Sequence, residues 1–160
     1  MEIQHSYEVA VEWQGNRGTG TSDYKSYGRE LLVSAAGKPD IAGSADRAFR
    51  GNAERWNPED LLLAALSQCH LLSYLHVATS HGIVVTAYSD SASGVMQQTA
   101  DGGGHFVSVT LRPVVTIAPG SDAEAQLELA RSLHHEASEK CFIAASVNFP
   151  VHHEPVVRLS

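Results

Sequence analysis

Cysteine is scarce in this sequence: Cys69 and Cys141 are the only two among 160 residues. A disulfide scaffold of the kind that staples small secreted domains is thereby excluded, and both thiols are expected to spend time reduced. Basic residues are scarce as well, with 11 Lys and Arg against 18 Asp and Glu and a formal net charge of −7. That balance argues against nucleic acid or an anionic membrane as a partner, since both require clustered cations that displace counterions. No run reaches the roughly eighteen apolar residues of a membrane span, and the N-terminal MEIQHSYEVAVEW lacks a basic segment followed by an apolar one. Cytoplasmic residence is the resulting expectation. Metal-site spacings such as HExxH and CxxC are missing too. Nine histidines are present, but the pairs His134-His135 and His152-His153 are sequence neighbours whose side chains diverge on a helix or strand. Neither a metal nor another cofactor is expected.

What remains is an ordinary globular composition, 43% hydrophobic and 18% charged, long enough for one compact domain over residues 1–160. Residues 5–13 alternate, with Tyr7, Val9, Val11 and Trp13 on one side, the period of a half-buried strand. The glycine-rich GNRGTGT at 15–21 turns the chain, and 24–33 is predicted to return antiparallel. It lacks the Lys-Ser/Thr of a phosphate loop and leads into no helix. Residues 36–54 are irregular, with room for one short strand. At Asn57-Pro58-Glu59-Asp60 an N-cap, a proline at the first helical position and two acids announce a helix, which can run to about His81 before Gly82 ends it. Its leucines leave little polar face, which predicts a central, largely buried helix.

Residues 83–98 and 105–117 read as two strands joined by the Asp-Gly-Gly-Gly turn at 101–104. Ser121 and Glu124 form a capping-box pattern for a second helix over roughly 122–139. CFIAAS then offers one more turn, and 147–159 reads as a strand whose Pro150 and Pro155 suit an edge or a bulge. The order β-β-α-β-β-α-β, without a βαβ rhythm, indicates an α+β fold with antiparallel sheets. A helix as apolar as 58–81 needs cover on more sides than one small sheet offers, which predicts a homodimer.

The bland reading of Cys69, in the middle of the apolar helix, is a small core hydrophobe. Cys141 follows Lys140 at the end of the second helix, where a short turn beginning at the cysteine would direct backbone N–H groups at sulfur and lower its pKa. His70, next to Cys69, faces about 100° away around the helix and is a poor base for that thiol. As a pair in a reduced setting, the two cysteines suggest redox chemistry, although spacing alone does not bring them together.

Three motifs in order, GNRGTGT at 15–21, WNPEDLLLAALSQCH at 56–70 and EKCFIAASV at 139–147, resemble the osmotically inducible, organic-hydroperoxide-resistance (OsmC/Ohr) family. The resemblance runs nearly end to end and implies an intertwined homodimer of antiparallel sheets around long central helices. It further implies a thiol peroxidase that reduces organic hydroperoxides, and hydrogen peroxide more weakly. Cys69 matches the attacking thiolate and Cys141 the resolving thiol, so that a sulfenic acid condenses to a disulfide that an external dithiol reopens. Such a bond requires Cα atoms within roughly 7 Å, and hence 139–147 packed on the middle of the first helix. Arg17 matches the family's active-site arginine and Glu59 the glutamate that orients it; a guanidinium near sulfur favours thiolate and the leaving alkoxide. Without the resemblance, Arg17 is a solvated turn residue and Glu59 a complement to the helix dipole. Because Glu59 lies about 15 Å along the helix from Cys69, Arg17 and Glu59 are expected to serve the Cys69 of the partner subunit.

Leu66, Leu72, Phe142 and Ile143 are the candidates for an apolar substrate pocket. The reductant implied is a dihydrolipoyl protein or a thioredoxin-like one. The run Cys-Phe-Ile-Ala-Ala-Ser resembles the OsmC-like branches and departs from the Ohr branch, whose second cysteine is usually followed by Pro-Tyr-Ser. Two competing functions are a non-catalytic dimeric module that binds a small hydrophobic ligand at its interface, and a metal-dependent hydrolase built on the histidines.

Overall fold

The structure is a computed structural model that describes residues 2–160. The chain folds as two compact units, one ending at Leu62 and the other comprising Leu63–Ser160. In the first unit, β1 (Ala10–Trp13), β2 (Leu31–Ser34) and β3 (Ile41–Gly43) form an antiparallel sheet in that order. The alternation over 5–13 is present, yet only its second half pairs as a strand, and both faces of β1 are exposed. The return strand is also shorter than predicted, because 24–30 is occupied by a different arrangement: the Arg29 guanidinium stacks on the rings of Tyr24 and Tyr27 and donates to both of their carbonyls. Trp13 Nε1 donates to Gly28 O at 2.9 Å, and at Gly15 an added Cβ would sit 1.9 Å from that same carbonyl oxygen. Glycine at 15 is therefore required by this close approach of two backbone segments.

Helix α1 (Pro58–Ser80) begins at the end of the first unit and runs through the second. Its start is as the sequence indicates, with Asn57 Oδ1 accepting from Asp60 N at 2.7 Å. By length and mean hydropathy, 1.4 over eighteen residues, α1 would suffice for a membrane span. It is nonetheless less enclosed than its leucines suggest. The buried residues form one stripe, Leu66, His70, Tyr74, Val77 and Ala78, while Leu72 is 58% exposed.

In the second unit, the two strands expected over 83–98 and 105–117 become four: β4 (Val85–Asp90), β5 (Ser93–Gln98), β6 (Gly104–Leu111) and β7 (Pro113–Ile117). The long hairpin splits between two sheets, and side chains hold it at the split. Arg112 N donates to Asp90 Oδ1 at 2.6 Å, Arg112 Nη1 to Ser93 Oγ at 2.8 Å, and Arg112 Nε to Glu154 Oε2 at 3.1 Å. The C-terminal strand breaks at the same level into β8 (Val151–His153) and β9 (Val156–Leu159), because Pro155 has no N–H for a ladder. β8 joins β6 and β9 joins β7, both in parallel, so the otherwise antiparallel sheets are mixed at these edges. The sheet orders are β4-β7-β9 and β5-β6-β8.

Helix α2 (Ala123–Glu139) is capped by Asp122, whose carboxylate accepts from Ala125 N at 3.0 Å, and not by Ser121. The core of this unit joins Tyr74, Val77 and Ala78 of α1, Ala130, Leu133 and Ala137 of α2, and Val115, Ile117 and Val157 of the sheet. Tyr74 carries its hydroxyl into that core and donates it to Ala130 O at 2.9 Å.

Candidate active site

Cys69 sits in the middle of α1, half-buried, and Cys141 lies just beyond α2, buried; both are free thiols. The segment after α2 packs on the middle of α1, where Ser73 Oγ and Lys140 O are 3.5 Å apart. The sulfurs are near enough that Cys69 acts on the Cys141 thiol both as hydrogen-bond partner and as a neighbouring charge. A turn does begin at Cys141, with Ala145 N donating to its carbonyl at 3.0 Å and Ala144 N approaching its sulfur at 3.4 Å. The expected lowering of its pKa does not follow. Burial dominates, the hydrogen bond to Cys69 adds to it, and together they push the Cys141 thiol up to about 11 against the opposing backbone N–H groups. Cys141 is thus held as a protonated thiol beside Cys69.

Cys69 opens into a pocket of about 650 Å³ lined by Leu72, Ser73, His76, Glu139, Lys140 and Phe142. Leu72 and Phe142 are where the sequence suggested, and Phe142 is 79% exposed at the rim. Leu66 is elsewhere: at 100° per residue it lies about 60° around α1 from Cys69, toward the buried stripe, and it is fully enclosed. Ile143 does not line the pocket. Ser73 and His76 went unrecognised in the sequence, although Cys69, Leu72, Ser73 and His76 follow the i, i+3, i+4, i+7 spacing of one helix face. Glu139 and Lys140 were flanking residues of Cys141, and only the packing of α2 on α1 brings them to the pocket.

Arg17 and Glu59 belong to the first unit. The Arg17 guanidinium, with a side chain 60% exposed, has Glu30 as its ion-pair partner at 4.0 Å. Glu59 Oε2 is buried without a hydrogen-bond partner among the described residues.

About 100° around α1 from Cys69 the structure holds a group with no sequence signal. His70 Nε2 and His134 Nδ1 are 3.0 Å apart, and the His153 ring packs 4.3 Å from His70. Burial, followed by the neighbouring imidazoles, depresses His70 to about 3, and burial and His153 depress His134 to about 4. Both rings are neutral at pH 7. Among the described residues no group of three or more His, Cys, Asp or Glu side chains is arranged to hold a metal ion.

Comparison with known proteins places the chain by family and fold. Residues 51–155 match the family described as OsmC-like protein. The chain is similar in structure to an OsmC-like protein of unknown function from Vibrio cholerae, with a TM-score of 0.84, 29% identity, and coverage of 96% of this chain and 100% of that one. It shares its fold with an organic hydroperoxide resistance protein from Elizabethkingia anophelis that has thiocyanate bound, at a TM-score of 0.67, 19% identity and coverage of 99% and 100%. An organic hydroperoxide resistance protein from Legionella pneumophila gives a TM-score of 0.67 at 17% identity, covering 98% of each chain. No curated protein matches the sequence. With α+β units of this topology and a family match over most of its length, the chain belongs to the OsmC-like protein family.

Proposed function

We propose that the protein is a thiol peroxidase that reduces organic hydroperoxides through Cys69 and Cys141. The observation that carries this reading is the juxtaposition of two free thiols, one buried and one opening into an apolar-walled pocket. In the first step the Cys69 thiolate attacks the terminal peroxide oxygen, the O–O bond breaks, and the alkoxide takes a proton and leaves as the alcohol. Cys69 is now a sulfenic acid. The Cys141 sulfur then attacks the Cys69 sulfur as its own proton is lost, the S–OH bond breaks, water leaves, and a disulfide remains. Two electrons have passed from the thiols to the peroxide, and a dithiol, of dihydrolipoyl or thioredoxin-like type, returns them. The high pKa of Cys141 suits a resolving thiol that stays protonated until the sulfenic acid has formed.

Leu72 and Phe142 favour an organic peroxide over hydrogen peroxide, since burying an alkyl group against them is worth roughly 0.8 kcal/mol per methylene. Arg17 and Glu59 complete the site in this reading from the partner subunit of a cytoplasmic homodimer. Support for a dimer comes from apolar side chains left uncovered on the single chain, among them Tyr7 at 91% exposure, Val9 and Val11.

Titration of free thiols after addition of cumene hydroperoxide tests the function. The parent is expected to lose two thiols per chain rapidly. Cys69→Ser is expected to lose none, and Cys141→Ser to lose one and then over-oxidise. Parent thiols that survive excess hydroperoxide would leave the pocket to the alternative role, binding a small hydrophobic ligand.

A further inference from the structure

The His70–His134 contact is an unusual choice for the inside of a small α+β unit. Both side chains are buried, at 0% and 2% exposure, and their remaining nitrogens, His70 Nδ1 and His134 Nε2, have no hydrogen-bond partner among the described residues. Two apolar side chains of similar volume would fill the space without the cost of leaving buried polar atoms unpaired. What apolar packing does not supply is direction. Leucine against leucine tolerates small rotations and slides of one helix over another, whereas an N–H···N bond between two neutral rings holds only near one alignment.

The position of this bond matters. His70 is the residue after Cys69 on α1, and His134 is on the helix that delivers Cys141 two turns later. The bond therefore links the helix that carries Cys69 to the helix that leads into Cys141. Tyr74 reinforces it, with its ring stacked 4.0 Å from that of His134 and its hydroxyl bonded to Ala130 O. The ring of His153, on β8, packs 4.3 Å from that of His70. Neither imidazole lines the Cys69 pocket, so neither reaches a peroxide.

We propose that His70 and His134 are positioning residues whose hydrogen bond sets α1 against α2 so that the Cys69–Cys141 disulfide closes without displacing either helix. This rests on the reading of the two cysteines as a redox pair, but its test does not use peroxide. Full-length protein is equilibrated with mixtures of reduced and oxidised glutathione, where the protein disulfide plus two glutathione thiols exchanges with the protein dithiol plus glutathione disulfide. The oxidised fraction, read by intact mass, gives the effective concentration of one thiol toward the other. His70→Met and His134→Leu are each expected to lower it tenfold or more, about 30 mV in a two-electron potential. His70→Gln places an amide nitrogen where Nε2 stood, and His134→Asn places an amide where Nδ1 stood; both are expected to stay within threefold of the parent. His70→Asn, too short to reach His134, replaces the methionine variant if that one does not fold. Val157→Ala, which loosens the same core from β9, is the stability control and is expected to leave the effective concentration unchanged. A folded His70→Met or His70→Asn protein with the parent value would overturn the positioning role. A parent chain that never forms the disulfide in any mixture would overturn the redox reading itself.

Discussion

At the scale of single residues, the buried histidines make the strongest demand on solvent conditions. The folded chain holds His70 near 3 and His134 near 4, below the ordinary 6.5, so the folded state binds fewer protons than the unfolded one once the pH falls below about 6.5. Stability is then lost progressively down to the folded values, at up to about 1.4 kcal/mol per pH unit for each histidine. Urea unfolding at pH 7 and pH 5 is expected to show a loss of roughly 2–4 kcal/mol, largely abolished in a folded His70→Gln, His134→Asn double variant. An equal loss in that variant would assign the acid sensitivity elsewhere. None of this was legible in the sequence, because His70 and His134 are 64 residues apart and the only histidine pairs visible there were sequence neighbours. Cys69 and Cys141 were legible for the opposite reason: there are no others, and each stands in a family motif. The elevated pKa of Cys141 was not, since the turn that would lower it is local and the burial that raises it is tertiary.

At the scale of elements, local chemistry was readable where a side chain acts on its own backbone. Asn57-Pro58 starts α1 as expected, and Gly82 ends it with φ 73°. The start of α2 was displaced by one residue: the cap is Asp122, and Ser121 makes no corresponding bond. Asp122→Ala is therefore expected to lower stability by about 1 kcal/mol, read as a drop in melting temperature, and Ser121→Ala to leave it nearly unchanged. The reverse order would restore the capping box. Strand lengths were less readable, because nothing in the alternation of 83–98 or 105–117 marks the change of sheet. That change depends on Arg112 meeting Asp90 of β4, Ser93 of β5 and Glu154 of the break between β8 and β9, three partners distant from it in the sequence. The parallel attachment of β8 and β9 follows from the same break, since Pro155 divides one expected strand between two sheets.

At the scale of the whole molecule, the amphipathic pattern of the N-terminal segment and the leucines of α1 pointed to more burial than one chain provides. Tyr7, Val9, Val11, Leu72 and Phe142 are all exposed, and a second copy is the occupant proposed for them. Val11→Glu is expected to shift the sedimentation coefficient from dimer toward monomer, with loss of peroxidase turnover if Arg17 and Glu59 act across the interface. A stable, fully active monomer would refute the shared site while leaving the thiol chemistry intact. That chemistry is the centre of the account, and mass spectrometry addresses it most directly. Reduced protein treated with one equivalent of tert-butyl hydroperoxide is expected to lose the mass of two hydrogens, with the link mapping to the peptides containing Cys69 and Cys141. Protein that gains oxygen on Cys69 with no link to Cys141, or that keeps its reduced mass, would contradict the proposed cycle.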